Sequence, residues 1–345
     1  MKTKLAFLIF FVLIITRCSK DNDLEIDSNQ QSLTGSSKVI TSLTGDATDV
    51  ITTTSGGICL MGGSTDVDAA FKWMISKSGG GDFVVIRVDN SMGYNSYIYK
   101  LGKVNSVETI VISKSTDAGS TIIENKIRAA EALFIAGGDQ KNYVTLWKNT
   151  RIENAINYLI NTKEVPVGGT SAGCAILGSS YFSALKGTVT SDEALANPYS
   201  SLVTLGHDDF INIPCLQNTI TDQHFSQRGR QGRLVAFMAR MSKDMQKVPF
   251  GIAADEKTAI CIDENGIAKV FGTNNAFFLQ QTTAVPENCN SGIPLTWNQG
   301  RLAVKVYQIA GSSIGNGSFD LNNYTDASGG NWMYYYVENG KFYMN

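Results

Sequence analysis

From about residue 38 the chain alternates short apolar runs with stretches in which apolar residues recur every three or four positions. Residues 58–61 predict a strand closed by Gly62-Gly63, and 66–78 place Val67, Ala70, Phe71 and Met74 at helical spacing. Strands follow at 83–88 and 108–113, a helix at 122–132, a strand at 133–136 and a helix at 141–148. Over 151–161, Ile152, Ala155, Ile156, Leu159 and Ile160 share one helical face, and 165–167 read as a short strand. Strands alternating with helices predict a parallel sheet with helices on its faces. Ligands of such sheets sit beyond the carboxyl ends of the strands. Three predicted strands end there in a glycine pair: Gly62-Gly63, Gly137-Gly138 and Gly168-Gly169. Glycine tolerates positive φ and close backbone approach, so the three pairs predict a site along one sheet edge.

After residue 250 the pattern changes. Residues 251–279 mix short apolar runs with polar positions around a turn at Asp263-Glu264-Asn265-Gly266, and 301–310 and 332–343 read as strands. The last of these folds back at Asn339-Gly340, a favoured hairpin turn. The pattern predicts one α/β domain over 38–310 and an antiparallel β extension over 311–345.

The first residues follow another rule. Two lysines precede an unbroken apolar run of 11 residues, 5–15, followed by Arg17-Cys18. A membrane-spanning helix needs about 20 apolar residues, and the proportions here are those of an export signal. A cysteine at the end of such a run resembles a bacterial lipoprotein signal, in which Cys18 becomes the acylated first residue. Arg17 departs from that pattern, which carries a small residue there. Residues 19–37 are rich in Asp, Asn, Gln and Ser and read as a flexible tether. Their start, Ser19-Lys20-Asp21-Asn22-Asp23, resembles the surface-export signal of Bacteroidetes lipoproteins. The expected location is the outer membrane or cell surface, reached through the lipid anchor alone, with plain secretion as the alternative.

Composition narrows the chemistry. With 29 basic and 31 acidic residues among 345, the net charge of −2 offers no electrostatic footprint for nucleic acid. Six cysteines and two histidines exclude a disulfide-dense scaffold and disfavour a zinc framework. Cys59, Cys174 and Cys261 lie in apolar runs and are expected to be buried small hydrophobes.

Gly169-Thr170-Ser171-Ala172-Gly173 fits G-x-S-x-G between a predicted strand and a predicted helix. That context puts a serine hydroxyl on a sharp turn, with the next N–H free for an oxyanion. A serine nucleophile needs a base, and only His207 and His224 exist. His224 is favoured by the polar residues around it, Asp222, Gln223, Gln227, Arg228, Arg230 and Arg233. Cations at a helix N-terminus oppose its dipole, so the three arginines predict a compensating anion, with a substrate carboxylate as the natural candidate. The acid that orients the imidazole stays open among Asp208, Asp209, Asp255 and Glu256.

At this point the motifs Phe134–Gln140 (FIAGGDQ), 168–173 (GGTSAG), 222–234 (DQHFSQRGRQGRL) and 251–260 (GIAADEKTAI) resemble the cyanophycinases of serine peptidase family S51. The resemblance implies an α/β three-layer sandwich with a mostly parallel sheet, of class I glutamine-amidotransferase type. It implies Ser171 as nucleophile, His224 as general base and Glu256 as the orienting acid. Gly138 and Ala172 would supply the oxyanion hole, and Gln140, Asp222, Gln223, Arg228, Arg230 and Arg233 would line the substrate cleft. The implied reaction is hydrolysis of cyanophycin, a poly-aspartate bearing arginine on each side-chain carboxylate, to β-Asp-Arg dipeptides. It needs no metal or organic cofactor, and the resemblance implies a homodimer. Three other readings compete: a dipeptidase of the same family acting on aspartyl or isoaspartyl peptides, a glutamine amidotransferase, and a non-catalytic surface-binding lipoprotein. Ser171 stands where amidotransferases carry cysteine, which counts against the second.

Overall fold

Along the strand Asp82–Arg87 successive side chains enter two different apolar layers: Phe83 and Val85 join one cluster, Val84 and Ile86 another. The strand Gly57–Met61 divides likewise, with Cys59 and Met61 on one side and Ile58 and Leu60 on the other. Side chains alternate across a strand, so continuous apolar runs mark a sheet covered on both faces. The computed structural model describes residues 39–345, and the export-signal and tether expectations, over 1–18 and 19–37, lie outside the described residues.

Two sheets carry the fold. The first has the spatial order Ile40–Gly45, Ser106–Val111, Asp82–Arg87, Ala132–Ile135, Pro166–Thr170, Gly57–Met61, Thr258–Asp263, Ile267–Gly272, Asn316–Asp320 and Ala327–Ser328. Its strands from Ser106–Val111 to Gly57–Met61 run parallel, as the alternation of strands and helices predicts. The second has the order Lys341–Met344, Gly330–Glu338, Val304–Ala310, Asn275–Gln281, Phe250–Ala254, Thr219–Gln223, Ser180–Phe182 and Leu205–His207. The architecture is thus mixed α/β.

The expected mostly parallel sheet is corrected here. Both sheets are mixed, and in the second only the two pairings of Thr219–Gln223 are parallel. The reason is connection length. Parallel neighbours need a crossover of about a dozen or more residues, whereas residues 264–266 join antiparallel partners in a tight turn. The links 255–257 and 273–274 instead carry the chain from one sheet to the other.

Residues 311–345 do not stand apart. Asn316–Asp320 extends the first sheet beside Ile267–Gly272, while Gly330–Glu338 and Lys341–Met344 extend the second. All these pairings are antiparallel, and the hairpin turns at Asn339-Gly340 as the sequence predicts. Cys59, Cys174 and Cys261 are buried, with Cys59 opposite Cys261 across adjacent strands. No helix among the described residues is long and apolar enough to cross a membrane.

Candidate active site

The three glycine pairs converge. Their strands, Ala132–Ile135, Pro166–Thr170 and Gly57–Met61, are consecutive parallel neighbours in the first sheet. Ser171 follows the middle one and precedes the short helix Ala172–Ala175. Its backbone, φ 52° and ψ −116°, occupies a region that costs about 1–3 kcal/mol and is held only by surrounding structure. Glycines allow the turn to close: a Cβ on Gly169 would lie 2.5 Å from the Gly173 carbonyl carbon, and one on Gly173 would lie 2.2 Å from Ile135 O.

His224 follows the strand Thr219–Gln223 of the second sheet, also at positive φ (47°). Ser171 Oγ lies 2.8 Å from His224 Nε2, and His224 Nδ1 lies 2.7 Å from Glu256 Oε1. Hydroxyl, imidazole and carboxylate thus form one hydrogen-bonded chain, able in principle to take a proton from the serine and to stabilise the resulting imidazolium. Burial, reinforced by the Arg228 and Arg230 cations, holds the His224 pKa below its ordinary value, against the opposing pull of Glu256. The Glu256 carboxyl is lowered chiefly by its hydrogen bond with His224.

The backbone of residues 61–63 ties these segments together. Met61 O accepts from Ser171 N (3.1 Å), Gly62 O from His224 N (2.9 Å) and Gly63 O from Lys257 N (3.1 Å). Glu256 itself sits in the three-residue link between sheets, its N–H donating to Gln227 Oε1 at 2.8 Å. The sequence placed Gly62-Gly63 at the site's edge, but the use of these carbonyls to tie Ser171, His224 and Lys257 together was not legible there.

The structure separates the four candidate acids. Asp255 is buried and accepts from Ser226 N (2.8 Å) and Asn275 N (3.2 Å), which makes it a backbone fastener. Asp209 pairs with Lys148 and Asp208 with Lys247. His207, the other imidazole, contacts Ser180 through Nδ1 at 2.9 Å. Glu256 is the one that meets His224.

The arginine cluster requires a correction. Its compensating anion is Asp222, 2% exposed, which receives Arg233 Nε at 2.9 Å and Arg233 Nη2 at 2.5 Å and lies 3.6 Å from Arg230. Arg230 also donates to Gln223 O (2.8 Å) and to the Gln223 side chain. Asp222, Gln223, Arg230 and Arg233 therefore form a buried framework at the start of the helix Gln231–Met245, and Asp222 and Arg233 are committed to each other. Removing one member of such a pair strands a buried charge, at a cost of about 3–5 kcal/mol. Arg228 alone of the three is exposed. Gln140 opens the helix Gln140–Trp147, half-buried beside the exposed Gly138. A Cβ on Gly137 would lie 3.4 Å from Ser171 Cβ, so the Gly137-Gly138 turn abuts the serine. Ala172 N–H follows Ser171 directly at the start of its helix.

Comparison with known proteins adds an independent finding. A family model described as "Peptidase family S51" matches residues 88–270, a span that contains Ser171, His224 and Glu256. The chain is 24% identical over 204 residues to a cyanophycinase of Nostoc sp., covering 58% of this chain and 63% of that protein. It is 26% identical over 188 residues to a cyanophycinase of Synechococcus elongatus, covering 54% and 53%. The matches thus span between about half and two thirds of these relatives' length. Among solved structures, a peptidase from an acI-B1 Actinobacterium has a TM-score of 0.46 at 15% identity, covering 69% of this chain and 98% of that one.

Proposed function

Given that the chain belongs to peptidase family S51, we propose that it is a serine peptidase that cleaves cyanophycin to β-Asp-Arg dipeptides. The observation that carries this reading is the chain of contacts from Ser171 Oγ through His224 to Glu256, at 2.8 and 2.7 Å. In the proposed reaction Ser171 attacks the scissile carbonyl while His224 takes its proton. His224 then protonates the leaving amine, and water hydrolyses the acyl-enzyme. Glu256 holds the imidazole in the tautomer this requires. Gly138 and Ala172 N–H groups receive the oxyanion, each such donor being worth about 3 kcal/mol in the transition state. Arg228, exposed and near enough to lower the His224 pKa, takes a substrate carboxylate.

A second reading, hydrolysis of short aspartyl or isoaspartyl peptides, is favoured by one observation. Asp222, the acid among the residues that the resemblance implies for the substrate cleft, is occupied by Arg233 and so is not free for the guanidinium of a β-Asp-Arg unit. The decisive experiment incubates purified protein and its Ser171→Ala variant with insoluble cyanophycin and identifies soluble products by mass. Release of β-Asp-Arg by the wild type alone is expected. Cleavage of aspartyl dipeptides without release from polymer would transfer the function to the second reading, and inactivity on both would refute the peptidase.

By the same reading the protein is a surface lipoprotein anchored through Cys18. The expected N-terminal peptide begins at Cys18 and carries acyl groups by mass spectrometry; an unmodified Cys18 would refute the anchor.

A further inference from the structure

The helix Gln140–Trp147 that follows the Gly137-Gly138 turn sends one side chain back beneath it. Tyr143 is fully buried, its ring stacked on Trp147 at 4.3 Å and 12°, and Trp147 is fixed in turn by donating Nε1–H to Ile112 O at 3.1 Å. The Tyr143 hydroxyl lies 2.7 Å from Ala136 O and 2.9 Å from Gly137 O, sharing its one proton between the two carbonyls. The peptide between Gly137 and Gly138 is trans, so its carbonyl and its N–H point in opposite directions. A hydroxyl that holds Gly137 O toward the interior therefore turns Gly138 N–H outward, on the side where Gly138 is exposed and the turn abuts Ser171. Donation to the carbonyl also polarises the same amide and strengthens its N–H as a donor.

From this geometry we infer that Tyr143 is a positioning residue for catalysis: its hydroxyl fixes the orientation of the Gly137–Gly138 peptide and so of the Gly138 oxyanion donor. The inference rests on the serine-peptidase reading above. It also accounts for glycine at 138, where an added Cβ would lie 2.9 Å from the Tyr143 oxygen. Tyr143 does not touch substrate and acts through the peptide it holds.

The test compares full-length wild type, Tyr143→Phe and Gly138→Ala in three assays: hydrolysis of an aspartyl amide, inhibition by an aspartyl boronate that forms a tetrahedral adduct on Ser171, and inhibition by free β-Asp-Arg. Complete loss of an oxyanion donor costs about 100- to 1,000-fold in kcat, and a donor present but unheld loses less. Tyr143→Phe should lower kcat about 10- to 100-fold with KM within about twofold. Boronate affinity should fall by the same factor, while β-Asp-Arg affinity and the acid limb of the pH profile stay in place. A purely structural role would not split tetrahedral from ground-state binding in this way. The double variant should be no worse than the weaker single one, because both changes release the same peptide. If Tyr143→Phe does not fold, Gly138→Ala read against the same three assays decides. An active wild type with unchanged kcat in either variant overturns the inference alone. A wild type that neither hydrolyses the amide nor binds the boronate overturns the peptidase reading, and this inference with it.

Discussion

At the scale of single residues, His224 is governed by competition between burial and charge. Burial is the largest influence and disfavours the imidazolium, Arg228 and Arg230 act in the same direction, and Glu256 opposes them. A general base works in its neutral form. A pKa held below the ordinary value of about 6.5 keeps that form populated into mildly acidic solution. The acid limb of kcat/KM should therefore lie below that value. Arg228→Ala removes an exposed cation that lowers the His224 pKa, so the limb should move to higher pH, whatever happens to the height of the profile. A limb that stays or moves down would contradict this assignment, and a pH–rate series on the two proteins measures it. The chemistry of the residues alone could not separate the four candidate acids, because Asp255 and Glu256 are neighbours of the same kind; only the family resemblance pointed to Glu256. Asp255 turns inward to Ser226 N and Asn275 N while Glu256 reaches His224. Only the path of the link between the two sheets decides which is which.

At the scale of elements, the site is organised by a three-residue segment without reactive side chains. Met61, Gly62 and Gly63 offer successive carbonyls to Ser171, His224 and Lys257, and so register three remote parts of the chain against one another. The periodicity of apolar residues revealed the parallel strands, because that feature is local; it placed Gly168-Gly169 after its strand, whereas the pair lies within Pro166–Thr170. It did not reveal that one end would serve the other two, nor that Tyr143 would brace the turn at Gly137, since both depend on which strands become neighbours. The arginines misled for a related reason: their anion, Asp222, stands close in sequence but was read as a ligand for substrate. Gly63 gives this scale its test. It has φ +96°, and an added Cβ would lie 2.6 Å from the His224 ring and 3.0 Å from Ser171 Cβ. Gly63→Ala should push the imidazole off the serine and lower kcat by about 100-fold or more, in the range of a lost general base. The unfolding midpoint should move far less than for Gly173→Ala, whose Cβ would strike Ile135 O at 2.2 Å. Full activity in Gly63→Ala, measured beside its thermal unfolding, would show that the segment does not position the site.

At the scale of the whole molecule, the two sheets depend on residues that the sequence set apart as an extension. Phe319 is fully buried and stacks on Phe278 of the other sheet at 4.1 Å and 8°, so the segment helps join the sheets as well as lengthen them. Tyr335 and Val337 are buried in the second sheet, and Trp297 exchanges backbone hydrogen bonds with Val337 at 2.8 and 2.9 Å. Burying a large apolar side chain contributes about 1.5–3 kcal/mol, so these three residues alone approach the about 5–15 kcal/mol that separates a folded domain from its unfolded chain. Ending the protein at Ala310 would also bare the edges of Ile267–Gly272 and Val304–Ala310, and unpaired edges invite association between chains. The truncated protein should lose its cooperative thermal transition and aggregate. Trp332→Ala, by contrast, removes a side chain 38% exposed and should keep a cooperative transition. Calorimetry with light scattering separates the cases. A truncated chain that unfolds cooperatively within a few degrees of the intact one would mean that residues 311–345 are a dispensable appendage. The opposite result would make them part of the body that holds Ser171, His224 and Glu256 in contact.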